Sequence, residues 1–217
     1  MSCTGVILAG GRASRYGGRP KGLERVHGER IIDRVAGSLR AVTDDLLLIA
    51  NAPGAEEWLP GVRTRGDVRP GEGALGGLHA ALTHAGGDIL LVAWDMPFVP
   101  RGLLAALRAR GEGGASDAID EHDAGLAAKA DVVVPESDGS RRGVEPLCAW
   151  YTQACLAPIS AALDAGDRRV VAFHDAVRTL RLPLATVAAF GDPAVMFSNV
   201  NTPEELERAE QSVLGGE

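Results

Sequence analysis

A three-layer α/β/α fold built on a mostly parallel sheet is what this 217-residue sequence predicts, and three observations carry that expectation. Apolar runs alternate with helical patterns along most of the chain, the mark of strands connected by crossover helices. The run at 88–94 is apolar without alternation, as in a strand buried on both faces. The first apolar run, Val6-Ile7-Leu8, passes directly into a loop rich in glycine and cations, Ala9-Gly10-Gly11-Arg12-Ala13-Ser14-Arg15-Tyr16-Gly17-Gly18-Arg19-Pro20-Lys21. Residues 1–217 read as one domain, since a chain of this length with 46% hydrophobic residues can bury a full core.

The elements follow in order. Residues 5–9 form the first strand, 30–42 a helix and 45–51 a second strand, with a strand-like stretch at 62–65. Alanine and leucine make 73–85 a helix, 88–94 the central strand and 101–110 another helix. Residues 111–131 are small, acidic and aperiodic, which predicts a long surface loop. Strands are expected at 132–135 and 145–150 around the Ser137-Asp138-Gly139-Ser140 turn. A helix at 152–165, a short helical piece at 170–176 and a strand at 180–187 come next. Thr202-Pro203-Glu204-Glu205 starts a last helix, with Thr202 as N-cap, Pro203 at its first position and Glu205 closing a capping box.

Several function classes are disfavoured. A formal net charge of −7 argues against a nucleic-acid footprint, which requires a basic face. Cys3, Cys148 and Cys155 contain no C-x-x-C pair and fit a reducing compartment, with Cys148 and Cys155 reading as packing thiols. Neither a leader nor an apolar run near twenty residues is evident, so the expectation is a cytoplasmic protein without a membrane segment. His79 and His84, five apart, do not share a helical face and read as structural or surface residues.

The glycine-rich loop is a phosphate cradle in chemical terms. Glycine lets backbone N–H groups approach an anion, and Arg12, Arg15, Arg19 and Lys21 add full positive charges. The Walker A spacing, Gly, four residues, then Gly-Lys-Ser/Thr, is absent, and the dinucleotide fingerprint fails after Gly10. An arginine-rich solvated turn is the plain alternative. Asp95, in Trp94-Asp95-Met96-Pro97, stands at the carboxyl end of the central strand, where open α/β sheets bind ligands. It suits a hard cation such as Mg²⁺, or else caps the turn before Pro97.

The spacing from Leu8-Ala9-Gly10-Gly11 through Arg15 to Lys21-Gly22-Leu23 resembles the signature loop of the MobA-like nucleotidyltransferases, and most of all the molybdenum cofactor guanylyltransferase family. Gly71-Glu72-Gly73-Ala74-Leu75-Gly76-Gly77, Glu145-Pro146-Leu147 and Asn199-Val200-Asn201-Thr202-Pro203 extend the resemblance. It implies a Rossmann-like fold of the nucleotide-diphospho-sugar transferase type and transfer of GMP from GTP to molybdenum-molybdopterin with release of pyrophosphate. It further implies Mg²⁺ on Asp95, nucleotide contacts from Leu8, Ala9, Gly10, Gly11, Lys21, Asn51, Asp67 and Asp95, and catalytic roles for Arg15, Lys21 and Asp95. Transient contact with other molybdenum cofactor biosynthesis proteins belongs to the same expectation. Asn51 and Asp67 read equally as turn-formers beside Pro53-Gly54 and Pro70-Gly71, and Asn201 as a helper of the Thr202 cap. Arg141 and Arg142 either reach an anionic acceptor or are solvated. Pro20, Tyr16 and Trp94 depart from the family's usual aspartate, methionine or leucine, and smaller residue. Left open are a cytidylyltransferase for the same cofactor, a transferase acting on a sugar phosphate or phospholactate, and a nucleotide-binding protein without catalysis. An NAD-dependent oxidoreductase is remote, since the fingerprint fails.

Overall fold

A computed structural model of the protein describes residues 2–10, 20–114, 129–200 and 205. Among these, a seven-stranded sheet runs β5-β4-β1-β6-β8-β7-β9, comprising β1 (Cys3–Ala9), β4 (Asp45–Ala50), β5 (Arg63–Arg65), β6 (Asp88–Ala93), β7 (Val132–Pro135), β8 (Cys148–Tyr151) and β9 (Thr179–Leu182). Every neighbouring pair is parallel except those made by β8, which lies antiparallel between β6 and β7. The sheet is therefore mostly parallel, as the alternation of elements predicts.

Successive side chains of a strand point to opposite faces, and here both faces are covered. Ile7 of β1, Leu48 of β4 and Leu90 and Val92 of β6 pack with α1 (Ile31–Arg40) and α3 (Arg101–Gly111), through Ile32, Val35, Leu39, Leu103, Leu104 and Leu107. Val6 and Leu8, Leu47 and Ile49, and Ile89 and Leu91 meet α2 (Gly73–Ala85) and α4 (Leu156–Asp164) through Leu75, Leu78, Leu82, Ile159 and Leu163. Burial on both sides is the reason these strands carry no alternation. Cys3, Cys148 and Cys155 are free and buried, as packing thiols should be.

Four expectations are corrected. The strand expected at 180–187 ends at Leu182. Pro183 has no N–H to donate to a ladder, and its φ of −58° starts α5 (Leu184–Ala188), whose Leu184 N–H is received by Glu136 Oε2 at 3.1 Å. The strand expected at 145–150 begins only at Cys148, because Pro146 interrupts the donors before it. The helix expected at 152–165 opens as a 3₁₀ turn, Gln153–Cys155, and becomes α4 at Leu156. The helical piece at 170–176 shrinks to a 3₁₀ turn, His174–Ala176.

A small hairpin went unanticipated: β2 (Arg25–Val26) and β3 (Glu29–Arg30) join through His27 and Gly28 at φ of 50° and 80°. Two residues per strand are too few to show periodicity. After α5, α6 (Pro193–Met196) is capped by Asp192, which accepts from Ala194 N at 2.9 Å. Most of the loop at 111–131 and the helix start at Thr202 lie outside the described residues. Among the described residues no helix is long and apolar enough to cross a membrane.

Candidate functional site

The carboxyl ends of β1, β4 and β6 stop at the same edge of the sheet because they are paired in register, Leu8 beside Ile49 and Ala93. A hydrogen bond from Trp94 N to Leu8 O (3.1 Å) continues the pairing one residue further. Over this edge lies a cavity of about 590 Å³, lined by Leu8, Ala9 and Gly10 from β1, Asn51 after β4, and Ala93, Trp94 and Asp95 from β6. Lys21, Asp67, Leu147 and the start of α2 (Gly71, Gly73, Ala74 and Gly77) complete its wall.

The start of α2 comes close because Gly77 carries no side chain. A Cβ there would fall 2.5 Å from Leu8 Cδ1, so the helix could not otherwise lie against β1. Unpaired backbone N–H groups of a first helical turn attract anions, and this turn faces the same cavity as Lys21.

Two polar pairs shape the site. Asn51 Nδ2 donates to Asp67 Oδ2 at 2.6 Å, and Asp67 N donates back to Asn51 Oδ1 at 2.7 Å. This two-way clasp ties the loop after β5 to the end of β4 and leaves the other carboxylate oxygen of Asp67 open to further donors. Lys21 leads a 3₁₀ turn, Lys21–Leu23, and its Nζ forms an ion pair with Asp95 Oδ2, the two side chains being only 16% and 15% exposed. The backbone of Asp95 is held as well, its carbonyl accepting from Val200 N at 3.0 Å. That bond brings the Asn199-Val200 motif to the site, with Val200 buried against Val26 and Ile31.

Glu145 is the group whose importance the sequence understated. Burial pushes its carboxyl from 4.5 up to about 7; the N–H of Leu147 opposes the rise and the charge of Asp95 adds to it. Its nearness to Asp95 follows from β8 lying beside β6, which sequence periodicity does not reveal. Asp95 offers a hard oxygen donor in the cavity wall, and Glu145 is near enough for the two charges to interact. Among the described residues no cluster of three or more His, Cys, Asp or Glu forms a complete cage. That donor set fits a cation such as Mg²⁺, which takes one or two carboxylates and completes its shell with phosphate and water oxygens.

Of the sequence-derived site residues, Leu8, Ala9, Gly10, Lys21, Asn51, Asp67 and Asp95 thus gather at one cavity. Gly11 and Arg15, like Asn201, lie outside the described residues. Arg142 is elsewhere, in a separate cleft of about 190 Å³ with Arg169, His174 and Arg181. His79 Nε2 contacts Ser160 Oγ at 3.1 Å and His84 Nε2 contacts Gly66 O at 3.2 Å, both structural. Ala74, from the glycine-rich segment of the resemblance, and Leu147, from its Glu145-Pro146-Leu147 motif, belong to the wall as well.

The MobA-like NTP transferase domain family model matches residues 5–178. The chain is 34% identical to a molybdenum cofactor guanylyltransferase of Desulfosudis oleivorans, over 98% of this chain and 96% of that one. It is 36% identical to a probable molybdenum cofactor guanylyltransferase of Deinococcus radiodurans, over 100% and 97%. The crystal structure of molybdopterin-guanine dinucleotide biosynthesis protein A from Archaeoglobus fulgidus superposes with a TM-score of 0.74 at 25% identity, covering 98% of this chain and 99% of that one.

Proposed function

The chain belongs to the MobA-like NTP transferase domain family, and from that premise we propose that it transfers GMP from GTP to molybdenum-molybdopterin, releasing pyrophosphate. The observation that carries the reading is the convergence of the strand-end backbone Leu8-Ala9-Gly10, Lys21, the Asn51–Asp67 clasp and Asp95 on one cavity at the carboxyl edge of the sheet. Relatives matching nearly the whole chain carry the guanylyltransferase name. Residues 1–217 act as one nucleotidyltransferase domain in this reading, since Leu182, Val187, Met196 and Phe197 share a core with α1 and α3. The reaction is placed in the cytoplasm, where both substrates would meet it.

The triphosphate lies over the end of β1 and the first turn of α2, with Lys21 neutralising its charge and Arg15 assigned the same task. Asn51 and Asp67 contact the nucleoside. A phosphate monoester has its second pKa near about 6, so the terminal phosphate of the pterin is already a dianion at neutral pH and needs no general base. One of its oxygens forms the new bond to the α-phosphorus while the bond to the bridging oxygen of the β-phosphate breaks, and pyrophosphate departs with that electron pair. Catalysis then rests on alignment and on charge placed where the transition state develops it. Asp95, with Glu145 beside it, is the proposed holder of Mg²⁺, which when bound screens the phosphates and polarises the reacting phosphoryl group.

The deciding experiment is pyrophosphate release from GTP, CTP, ATP and UTP, each with Mg²⁺ and with or without molybdenum-loaded molybdopterin. Release only from GTP with the pterin is the expected result. Release from CTP instead would make the protein a cytidylyltransferase, and silence with every nucleotide would send the search to another phosphorylated acceptor.

A further inference from the structure

Lys21 and Asp95 meet as an ion pair, and their chain neighbours are in contact as well. Gly22 follows Lys21, Trp94 precedes Asp95, and the two are pressed together. A Cβ on Gly22 would sit 2.3 Å from Trp94 Cε3, 2.9 Å from Cζ3 and 3.0 Å from Cδ2. Gly22 is not among the residues at positive φ, so its backbone conformation does not demand glycine; the indole does.

The indole is held in place by packing. Trp94 is 5% exposed and stacks on Trp58 with ring centroids 5.3 Å apart and planes 16° from parallel. The backbone amide of Trp94 donates to Leu8 O at 3.1 Å, which fixes its main chain to β1. The turn it supports is equally defined. Leu23 N donates to Pro20 O at 3.0 Å, Glu24 N to Lys21 O at 3.1 Å, and Ile31 N to Glu24 O at 2.9 Å at the start of α1. A lysine side chain is long and rotamer-rich, so its ammonium is placed accurately only if its backbone is.

We infer that Trp94 is a positioning residue for phosphoryl-group transfer: its indole is the platform on which the Lys21 turn rests, and Gly22 is the residue whose missing side chain lets that turn settle at the height where Lys21 faces Asp95. This rests on the assignment of Lys21 and Asp95 to the reaction. Trp94 also lines the cavity, but in this role it and Gly22 act through Lys21.

The test compares the full-length chain with Gly22→Ala, Trp94→Leu and the double variant. Two readouts are taken, kcat and KM for GTP, and competitive trace acetylation of lysines. The chain has two lysines, Lys21 and Lys129, so the second serves as an internal reference; its side chain is 41% exposed and paired with Asp88 at the opposite end of β6. Gly22→Ala should lower kcat about 10²-fold with KM for GTP nearly unchanged, the scale of loss from misplacing a catalytic group by about 1 Å. It should also raise acetylation of Lys21 relative to Lys129 several-fold. With Trp94→Leu in the same chain the steric conflict is gone, and the Gly22→Ala penalty should shrink by about tenfold, the non-additivity of residues in contact.

Equal penalties in both backgrounds would overturn the inference, as would Gly22→Ala with unaltered kcat and lysine pattern. Should the unsubstituted chain turn over no nucleotide, the functional reading fails, and the acetylation ratio alone decides: a rise with Gly22→Ala that is several-fold smaller when the substitution is made in the Trp94→Leu chain upholds the platform, and an equal rise in both backgrounds or a constant ratio removes it. Trp94→Phe, which narrows the platform without inserting an atom, replaces Gly22→Ala if that variant does not fold; it should raise the Lys21 ratio and lower kcat with KM little changed, and no change in either overturns the inference.

Discussion

Replacing Lys21 with alanine separates a catalytic from a structural role for the ion pair at the cavity. With the two side chains only 16% and 15% exposed, truncation leaves Asp95 without that partner beside the raised carboxyl of Glu145. Exposed ion pairs contribute about 0–1 kcal/mol, and breaking buried ones costs about 3–5 kcal/mol. A pair in an open cavity falls between, at about 1–2 kcal/mol, which for a chain of this size lowers Tm by about 2–8 °C. A domain starting with about 5–15 kcal/mol of stability remains almost wholly folded after that loss. Turnover should fall far more, by about 10²–10³, the usual consequence of deleting one preorganised charge-stabilising donor. The assay is steady-state pyrophosphate release from GTP with molybdenum-molybdopterin and Mg²⁺, beside a thermal melt of the same preparation. Turnover within about threefold of the unsubstituted chain would refute the assignment, since removing a transition-state charge cannot cost so little. A melt showing the variant unfolded at the assay temperature would trace the lost activity to folding.

Three further outcomes are expected. Chelating divalent cations should abolish pyrophosphate release and added Mg²⁺ should restore it; Asp95→Asn should cost at least as much turnover as Lys21→Ala and raise the Mg²⁺ concentration needed for half-maximal rate. Glu145 has a folded-state pKa of about 7 against 4.5 for the free group, so between those values the folded chain holds a proton that the unfolded chain has released, and stability falls as pH rises through that window. Glu145→Gln should flatten this slope in a series of melts from pH 4 to pH 8, and an unchanged slope would assign it to other groups. Gly77→Ala places a Cβ 2.5 Å from Leu8 Cδ1 and should cost about 1–3 kcal/mol by denaturant titration, with Leu8→Ala in the same chain recovering part of the loss; full stability in the single variant would show that α2 can lift from β1 freely.

Much of the fold was legible because it is written in local patterns. The bounds of α2 (Gly73–Ala85) and β7 (Val132–Pro135) coincide with their sequence expectations, since helical composition and short apolar runs between turn residues are properties of a few neighbouring residues. Where a proline changes the meaning of a run, as Pro183 does between β9 and α5, the apolar pattern continues past the breaker and overstates the length of the strand. The two residues per strand of the β2–β3 hairpin offered too little pattern to read.

The sequence alone determined the class of fold, the edge at which a ligand should bind and the chemical character of the loop after β1, because burial periodicity and the spacing of glycine and charge are encoded along the chain. The tertiary structure decided which distant residues meet. Lys21 reaches Asp95 across 74 positions, Asn51 and Asp67 clasp each other across 16, and Glu145 comes under the influence of Asp95 because β8 runs antiparallel beside β6. These meetings depend on strand order and register, which are settled by the packing of the whole sheet between its two layers of helices. No short window of sequence contains that information.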